Sequence, residues 1–458
     1  MTVFFCAKAK ELLHPIKHKI KGEHMISIEN IAHKKKYSIV ILGAGLTGLS
    51  YAYSALRKKS PVIILERDNK IGGLMKTFYF NGFLFDFGPH IFRSRDENIL
   101  KFVKELLRTN YHKISSNPLI FKRGLFFDSV LPTITYRNLE NLPEKIKEKA
   151  KKELQTDRVL DLSNFESCVI SQIGETLYWE FFGEYSKKWW GIDPKNLSSD
   201  IAPKNLKIGE KESYVHITTN FEKPLEEIYP TKGGIFEIIK KIEERVEALG
   251  GLISPNSPVK KLECDGNAIS KIVVEKSGEE VEINTRDKLV VSTVPLTSLC
   301  AMLRIKNDLI YRGDICVFIK LKGDKLFNHS WIYFHDSDIV FCRIHEPIYY
   351  SKYNSPSGYT SLCVEITSFE NDTNWKDKYL PEKVVEQLVD LDLIKENQKP
   401  EILGLEKYAY AYPVYTVDYR EKLEKILGKL SSFENLKVIG RTGSFSYLNM
   451  EECLRWAI

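Results

Sequence analysis

Residues 37–66 constrain the fold of this chain more than any other stretch. The apolar β-formers Ile39-Val40-Ile41-Leu42 run straight into Gly43-Ala44-Gly45-Leu46-Thr47-Gly48. Residues 49–56 then repeat apolar side chains at helical spacing, and a second apolar run, Val62-Ile63-Ile64-Leu65, ends at Glu66. Strand, glycine turn, helix, strand and acid in that order describe a βαβ unit of about thirty residues that binds a dinucleotide. Gly43 permits the tight turn out of the strand, Gly45 lets the backbone approach a pyrophosphate, and Gly48 lets the helix pack closely on the strand. The amides of Leu46 and Thr47 open the helix, where its dipole favours phosphate charge. Glu66 can accept hydrogen bonds from ribose hydroxyls and would repel a 2′-phosphate. A G-x-G-x-x-G alone is a weak signal; with both strands, the helix and the acid in order it is a strong one.

The residues just after Glu66 separate flavin from nicotinamide. Arg67-Asp68-Asn69-Lys70-Ile71-Gly72-Gly73-Leu74-Met75-Lys76 places a Gly-Gly pair shortly after the acid. Here the chain resembles the flavoprotein superfamily of amine oxidases, protoporphyrinogen oxidases and UDP-galactopyranose mutases. The resemblance implies FAD as cofactor, Glu66 on the adenosine ribose, and Arg67, Gly72, Gly73 and Leu74 beside the cofactor. Many members carry arginine after the pair; this chain has Leu74, with Lys76 nearby.

Further motifs extend the resemblance over residues 37–458. Phe87-Gly88-Pro89-His90-Ile91-Phe92 is similar to the mutase segment that lies against the flavin ring. It implies cofactor contacts from Gly88, Pro89 and His90, with His90 catalytic. Phe181-Phe182-Gly183-Glu184-Tyr185-Ser186-Lys187-Lys188-Trp189-Trp190-Gly191 resembles a stretch shared by mutases and oxidases. Aromatic density of this kind usually builds core, the reading for Phe181 and Phe182; Tyr185 and Trp190 are expected at a substrate cleft. The mutases carry an arginine on the loop beyond, whereas Lys204-Asn205-Leu206-Lys207-Ile208-Gly209-Glu210-Lys211 has none. By the same resemblance the backbone of Val259 pairs with adenine. Near the end, Gly440-Arg441 and the turn Asn449-Met450-Glu451 close on the pyrophosphate, the ribityl chain and the flavin's pyrimidine edge.

Arg343, in Phe341-Cys342-Arg343-Ile344-His345, has two readings. A planar guanidinium can grip a carboxylate or phosphate of a substrate in two places, or form a structural salt bridge. Tyr412, in the tyrosine-rich run 408–415, joins Arg343, Tyr185 and Trp190 as an expected substrate contact, and Arg343 joins His90 as a candidate catalytic group.

Composition narrows the alternatives. A chain of 458 residues with 43% hydrophobic side chains buries a large core over two or three domains. A net charge of +6, from 67 basic against 61 acidic residues, does not suggest a nucleic-acid partner. Eight scattered cysteines without C-x-x-C or metal spacing read as buried free thiols in a reducing cytoplasm. No apolar run approaches the ~18 residues of a membrane span, which leaves peripheral contact open. The lysine-rich residues 1–36 read as a basic extension without chemistry of its own.

The expected architecture is α/β: a discontinuous Rossmann-like FAD-binding domain (37–100, 224–300 and 403–458) with an inserted α+β substrate domain (101–223 and 301–402). The expected function is FAD-dependent oxidation of a small molecule, with hydride passing to the flavin and an electron acceptor reoxidising it. The alternative is a redox-neutral mutase of the UDP-galactopyranose type. No metal is expected.

Overall fold

The computed structural model describes residues 37–131, 133–209 and 226–457. The basic extension expected over 1–36 lies outside the described residues, as do Glu210 and Lys211 at the end of the loop that begins at Lys204.

The anticipated βαβ unit forms the centre of a five-stranded parallel sheet. Its strands run in the order Leu252–Ser254, Val62–Leu65, Ile39–Leu42, Leu289–Ser292 and Leu436–Val438. The two strands of the unit are buried at every residue, as expected when helices cover both faces of a parallel sheet. Helix Leu46–Arg57 packs against helix Phe236–Ala248. The latter buries Ile238, Ile239, Ile242 and Val246 on one stripe. Gly250, at φ +82°, ends that helix, and the N–H groups of Gly250 and Gly251 donate to Glu247 O and Val246 O. Helix Glu97–Leu107 begins where Asp96 accepts from the amides of Asn98 and Ile99.

A second, seven-stranded sheet is mostly antiparallel. Its order is Glu401–Pro413, Tyr311–Lys322, Tyr359–Ser368, Arg343–His345, Ile332–Phe334, Leu119–Lys122 and Leu125–Asp128. Strand alternation gives it two unlike faces. Ile315, Val317, Ile319 and Leu321 lie in a core with Leu380, Val384 and Leu388 of helix Leu380–Asp390. On the other face, Cys316, Phe318 and Cys363 meet Phe83 and Phe85. Phe85 and Phe318 stack at 4.7 Å. Those phenylalanines belong to the hairpin Thr77–Phe80 and Phe83–Asp86, whose turn residues Asn81 and Gly82 both take positive φ. The hairpin is anchored by Asp86, which accepts from Thr77 Oγ1, Tyr229 Oη and the Ile235 amide.

Two details depart from the sequence reading. The amphipathic pattern of residues 141–182 predicts helix with a break at 161–165, whereas the structure interrupts the helix over the longer stretch 155–164. Asn164 restarts it by accepting from the Ser167 amide. The helix then widens into a π-turn at Trp179–Gly183, where a Cβ on Gly183 would sit 2.5 Å from the Trp179 ring. Of the described cysteines, Cys168, Cys300, Cys316, Cys342, Cys363 and Cys453 are free and buried as expected; Cys264 is exposed, on the outer strand Val259–Asp265. No described helix is long and apolar enough to cross a membrane.

Candidate functional site

A cavity of about 600 Å³ runs from the carboxyl end of the parallel sheet to the hairpin-side face of the seven-stranded sheet. Its two ends are built differently.

The first end is made of backbone. Gly43 (φ +99°) turns the chain out of its strand, and a Cβ there would lie 2.6 Å from Thr293 Oγ1. Gly45 and Gly72 form a parallel bridge, and a Cβ on Gly45 would reach to 3.9 Å from Gly73 Cα. Leu46 and Thr47 open the helix; its first turn holds no acid and its start has no side-chain cap, so free amides meet the cavity. Glu66 is buried, with Oε2 accepting from the Ala44 amide at 2.8 Å and Oε1 from the Asp68 amide at 3.0 Å. A carboxylate has about four acceptor sites, so capacity remains for hydroxyl donors. The Ser257 amide donates to Glu66 O, which fixes Val259 on the wall nearby. Arg67 and Leu74 also line this end. Opposite, Gly440 (φ +87°) comes so close to Thr47 that a Cβ would sit 2.9 Å from Thr47 Oγ1. Arg441 donates to Ala411 O and Leu448 O and covers the Tyr447 ring at 4.0 Å. Asn449 and Met450 complete this wall.

Side chains make the second end. Across consecutive strands of the seven-stranded sheet, Glu365 stands opposite Arg343, and Arg343 opposite Tyr333. Arg343 Nε and Nη2 donate to Glu365 Oε1 and Oε2 at 2.8 and 2.5 Å, and the guanidinium lies over the Trp189 and Tyr333 rings. Burial alone would raise the Glu365 carboxyl; Arg343 outweighs it and holds the group down at about 2. Tyr412, Trp331 and Asp314 share this wall. His90 lies half-buried above it, with Nδ1 3.2 Å from Gly88 O. Burial lowers its pKa to about 4, so the imidazole is neutral near neutral pH.

Four expected site residues stand outside the cavity wall. Gly48 is a packing position: a Cβ would sit 2.1 Å from Gly43 O. Glu451 is turned to other work, its carboxylate accepting from the Arg95 amide and from Arg455. Tyr185 stacks on His335 at 4.3 Å and supports Tyr333 from behind. Trp190 packs edge-on to Tyr412 and Tyr447. Conversely, Asp314, Trp331, Tyr333 and Tyr447 line the cavity although no motif marks them as site residues. An acid inside the apolar run 314–319 is the available signal for Asp314.

Comparison with known proteins gives a consistent family. The profile described as flavin containing amine oxidoreductase matches residues 46–307. UDP-galactopyranose mutase of Mycoplasma pneumoniae is 23% identical over 250 residues, which are 51% of this chain and 60% of that protein's length. Among solved structures, a reduced UDP-galactopyranose mutase superposes with a TM-score of 0.75 at 22% identity, covering 91% of this chain and 93% of the other. A putative protoporphyrinogen oxidase from Exiguobacterium sp. 255-15 gives 0.70 at 14% identity, with 93% and 97% covered.

Proposed function

The chain belongs to the family of flavin-containing amine oxidoreductases, and from that premise we propose that it is an FAD-dependent oxidoreductase acting on a small, uncharged molecule. The flavin cofactor follows from the family, and the residues present fit it. The Gly43–Gly48 turn and the free helix amides suit a pyrophosphate, and Glu66 has acceptor capacity left for ribose hydroxyls. On this reading, residues 37–100, 224–300 and 403–458 carry the cofactor and the two inserted segments carry the substrate, joined there by Tyr412 of strand Glu401–Pro413, which belongs to the seven-stranded sheet.

The observation that supports an uncharged substrate is the commitment of the cavity's cations. Among the described lining residues, Arg343 is bidentate on Glu365, Arg93 lies 3.2 Å from Glu227, and Arg441 donates to backbone carbonyls. Arg67 lies beside Asp68 at the Glu66 end. An anionic substrate would have to compete with these partners. When bound, the flavin supplies the two-electron chemistry. The chain's own groups position and dry the site. Tyr333, Tyr412 and Trp331 give it aromatic walls. With its proton on Nδ1, His90 donates to Gly88 O and keeps Nε2 as an acceptor at the cavity. The Arg343–Glu365 pair fixes a positive guanidinium beside the site.

A redox-neutral mutase is the second reading, favoured by the superposition on a reduced UDP-galactopyranose mutase. Anaerobic mixing separates the two. An oxidoreductase bleaches its flavin when substrate is added without a reductant. A mutase interconverts UDP-galactopyranose and UDP-galactofuranose only after dithionite reduction and returns the flavin unchanged. Ring interconversion of that kind would overturn the oxidoreductase reading.

A further inference from the structure

We propose that Asp314 is a neutral carboxylic acid that donates a hydrogen bond into the substrate end of the cavity and there selects an uncharged oxygen acceptor, a hydroxyl or carbonyl, over an ammonium group. The proposal rests on the reading of this end as the substrate site.

Asp314 lies on strand Tyr311–Lys322, opposite Thr367 on one neighbouring strand and Tyr408 on the other. It is 2% exposed yet lines the cavity. Its Oδ1 is buried with no hydrogen-bond partner among the described residues. A buried carboxylate is ordinarily paired or held by several donors, and Asp314 has no such arrangement.

The surrounding charges explain why. The nearest acid, Glu365, stands opposite Cys316, diagonal to Asp314 on the same face. It already takes the charge of Arg343. On Asp314's own strand, Arg312 is spent on Asp372 and on the carbonyls of Thr367 and Trp189. The remaining titratable neighbours are the thiols Cys316, Cys342 and Cys363 and the phenols Tyr408 and Tyr412. His345 sits beyond them, 3.8 Å from Glu365; against its burial, Cys363 and Glu365 raise its pKa to about 9, and His345 in turn helps lower the Cys363 thiol to about 6, so these two groups balance each other and leave no cation for Asp314. Both guanidinium charges are thus neutralised by acids other than Asp314. An ionised Asp314 would add a second, unpaired negative charge beside Glu365 in a desolvated wall. Burial first, and then the charge of Glu365, push its carboxyl well above the carboxylate range. A neutral acid carries one O–H donor, and that donor can be satisfied by a ligand oxygen in the cavity. A substrate ammonium has no lone pair to offer it.

Three measurements on the full-length, FAD-loaded protein test this. The infrared difference between wild type and Asp314→Asn at neutral pH should show the carbonyl stretch of one protonated acid lost; loss of carboxylate bands instead would overturn the proposal. Asp314→Ser serves the same comparison should the Asn variant fail to fold. Thermal unfolding gives a second, ligand-free readout. A folded-state pKa above the unfolded value means that the native protein binds the extra proton, so this group's stabilisation fades as pH rises. The Tm of Asp314→Asn relative to wild type should therefore climb between pH 4 and pH 8; a flat or falling difference contradicts a neutral Asp314. Third, 1,4-butanediol and putrescine share a carbon chain and differ in their end groups. Titrated against the flavin absorbance, the diol should bind wild type and Asp314→Asn within about threefold, bind Asp314→Leu at least tenfold more weakly, and outcompete putrescine. Putrescine binding that is tighter than the diol and lost in Asp314→Asn, or binding of neither compound, would overturn the selectivity. The infrared and thermal results do not depend on turnover, so they can fail independently of the oxidoreductase reading.

Discussion

The two ends of the cavity solve the problem of holding a ligand by opposite means. At the Glu66 end the surface is backbone: glycines where a Cβ would collide, helix amides without a cap, and one carboxylate holding two main-chain N–H groups. At the Arg343 end the surface is side chain, on a sheet face where Glu365, Arg343 and Tyr333 line up across three strands. Backbone binding depends on close approach and tolerates no added atoms. Side-chain binding depends on charge balance and tolerates no lost partner. The two ends should therefore fail differently under mutation.

The largest effect is expected at the side-chain end. Arg343→Leu leaves Glu365 buried at 0% exposure without its partner. Breaking such a pair costs about 3–5 kcal/mol, and denaturant unfolding should show a loss of that size. Replacing both residues by leucine should recover much of it; no recovery would mean that the pair is not the source. At the backbone end, Gly48→Ala inserts a Cβ where Gly43 O lies 2.1 Å away. Overpacking of this kind costs about 1–3 kcal/mol, with FAD retention falling alongside stability. Gly428→Ala is the control: that helical glycine has open space around it, so the change should be neutral or slightly stabilising.

Glu66→Ala should weaken FAD by about 1–3 kcal/mol in a titration of the apoprotein, the scale of lost hydrogen bonds to a charged group. Glu66→Gln should lose less. The smallest effect is at His90, and it is a matter of pH. Its folded pKa, about 4, lies below the ordinary 6.5. The unfolded chain therefore binds the extra proton between those values, and stability falls as pH drops from 6.5 to 4. His90→Gln should flatten that part of the Tm profile and leave the region above pH 7 unchanged. An unaltered acid limb would contradict a neutral imidazole at this half-buried position.

The same contrast explains what is legible in the sequence. The backbone end is local: residues 39–48 carry their own turn and helix, and the strand bounds at Ile39–Leu42, Val62–Leu65 and Leu289–Ser292 fall where the apolar runs lie. Asn81-Gly82, set between the aromatic-rich runs 78–80 and 83–85, is a hairpin signal of the same local kind. The side-chain end is assembled from a distance. Arg343 can be weighed between substrate and salt bridge, but its pairing with Glu365 depends on the register of two strands with a 13-residue connection between them. Asp314 becomes visible only when the sheet brings it to the cavity. Aromatic residues mislead for a related reason: the motif 181–191 is dense in them, yet none of its residues lines the cavity, and Tyr185 and Trp190 pack instead against the wall residues Tyr333 and Tyr412. Glu451 continues a turn that reaches the cavity, but its side chain bonds to Arg95 and Arg455.

The division of labour between the two ends is tested most directly by measuring FAD affinity across it. Apoprotein of wild type, Glu66→Ala, His90→Ala and Asp314→Asn would be titrated with FAD by flavin fluorescence. Glu66→Ala should weaken binding roughly tenfold or more, on the scale of a lost charged hydrogen bond, while the other two variants stay within about threefold of wild type. Equal losses in all three would contradict a cavity whose cofactor is held by one end and whose substrate is held by the other.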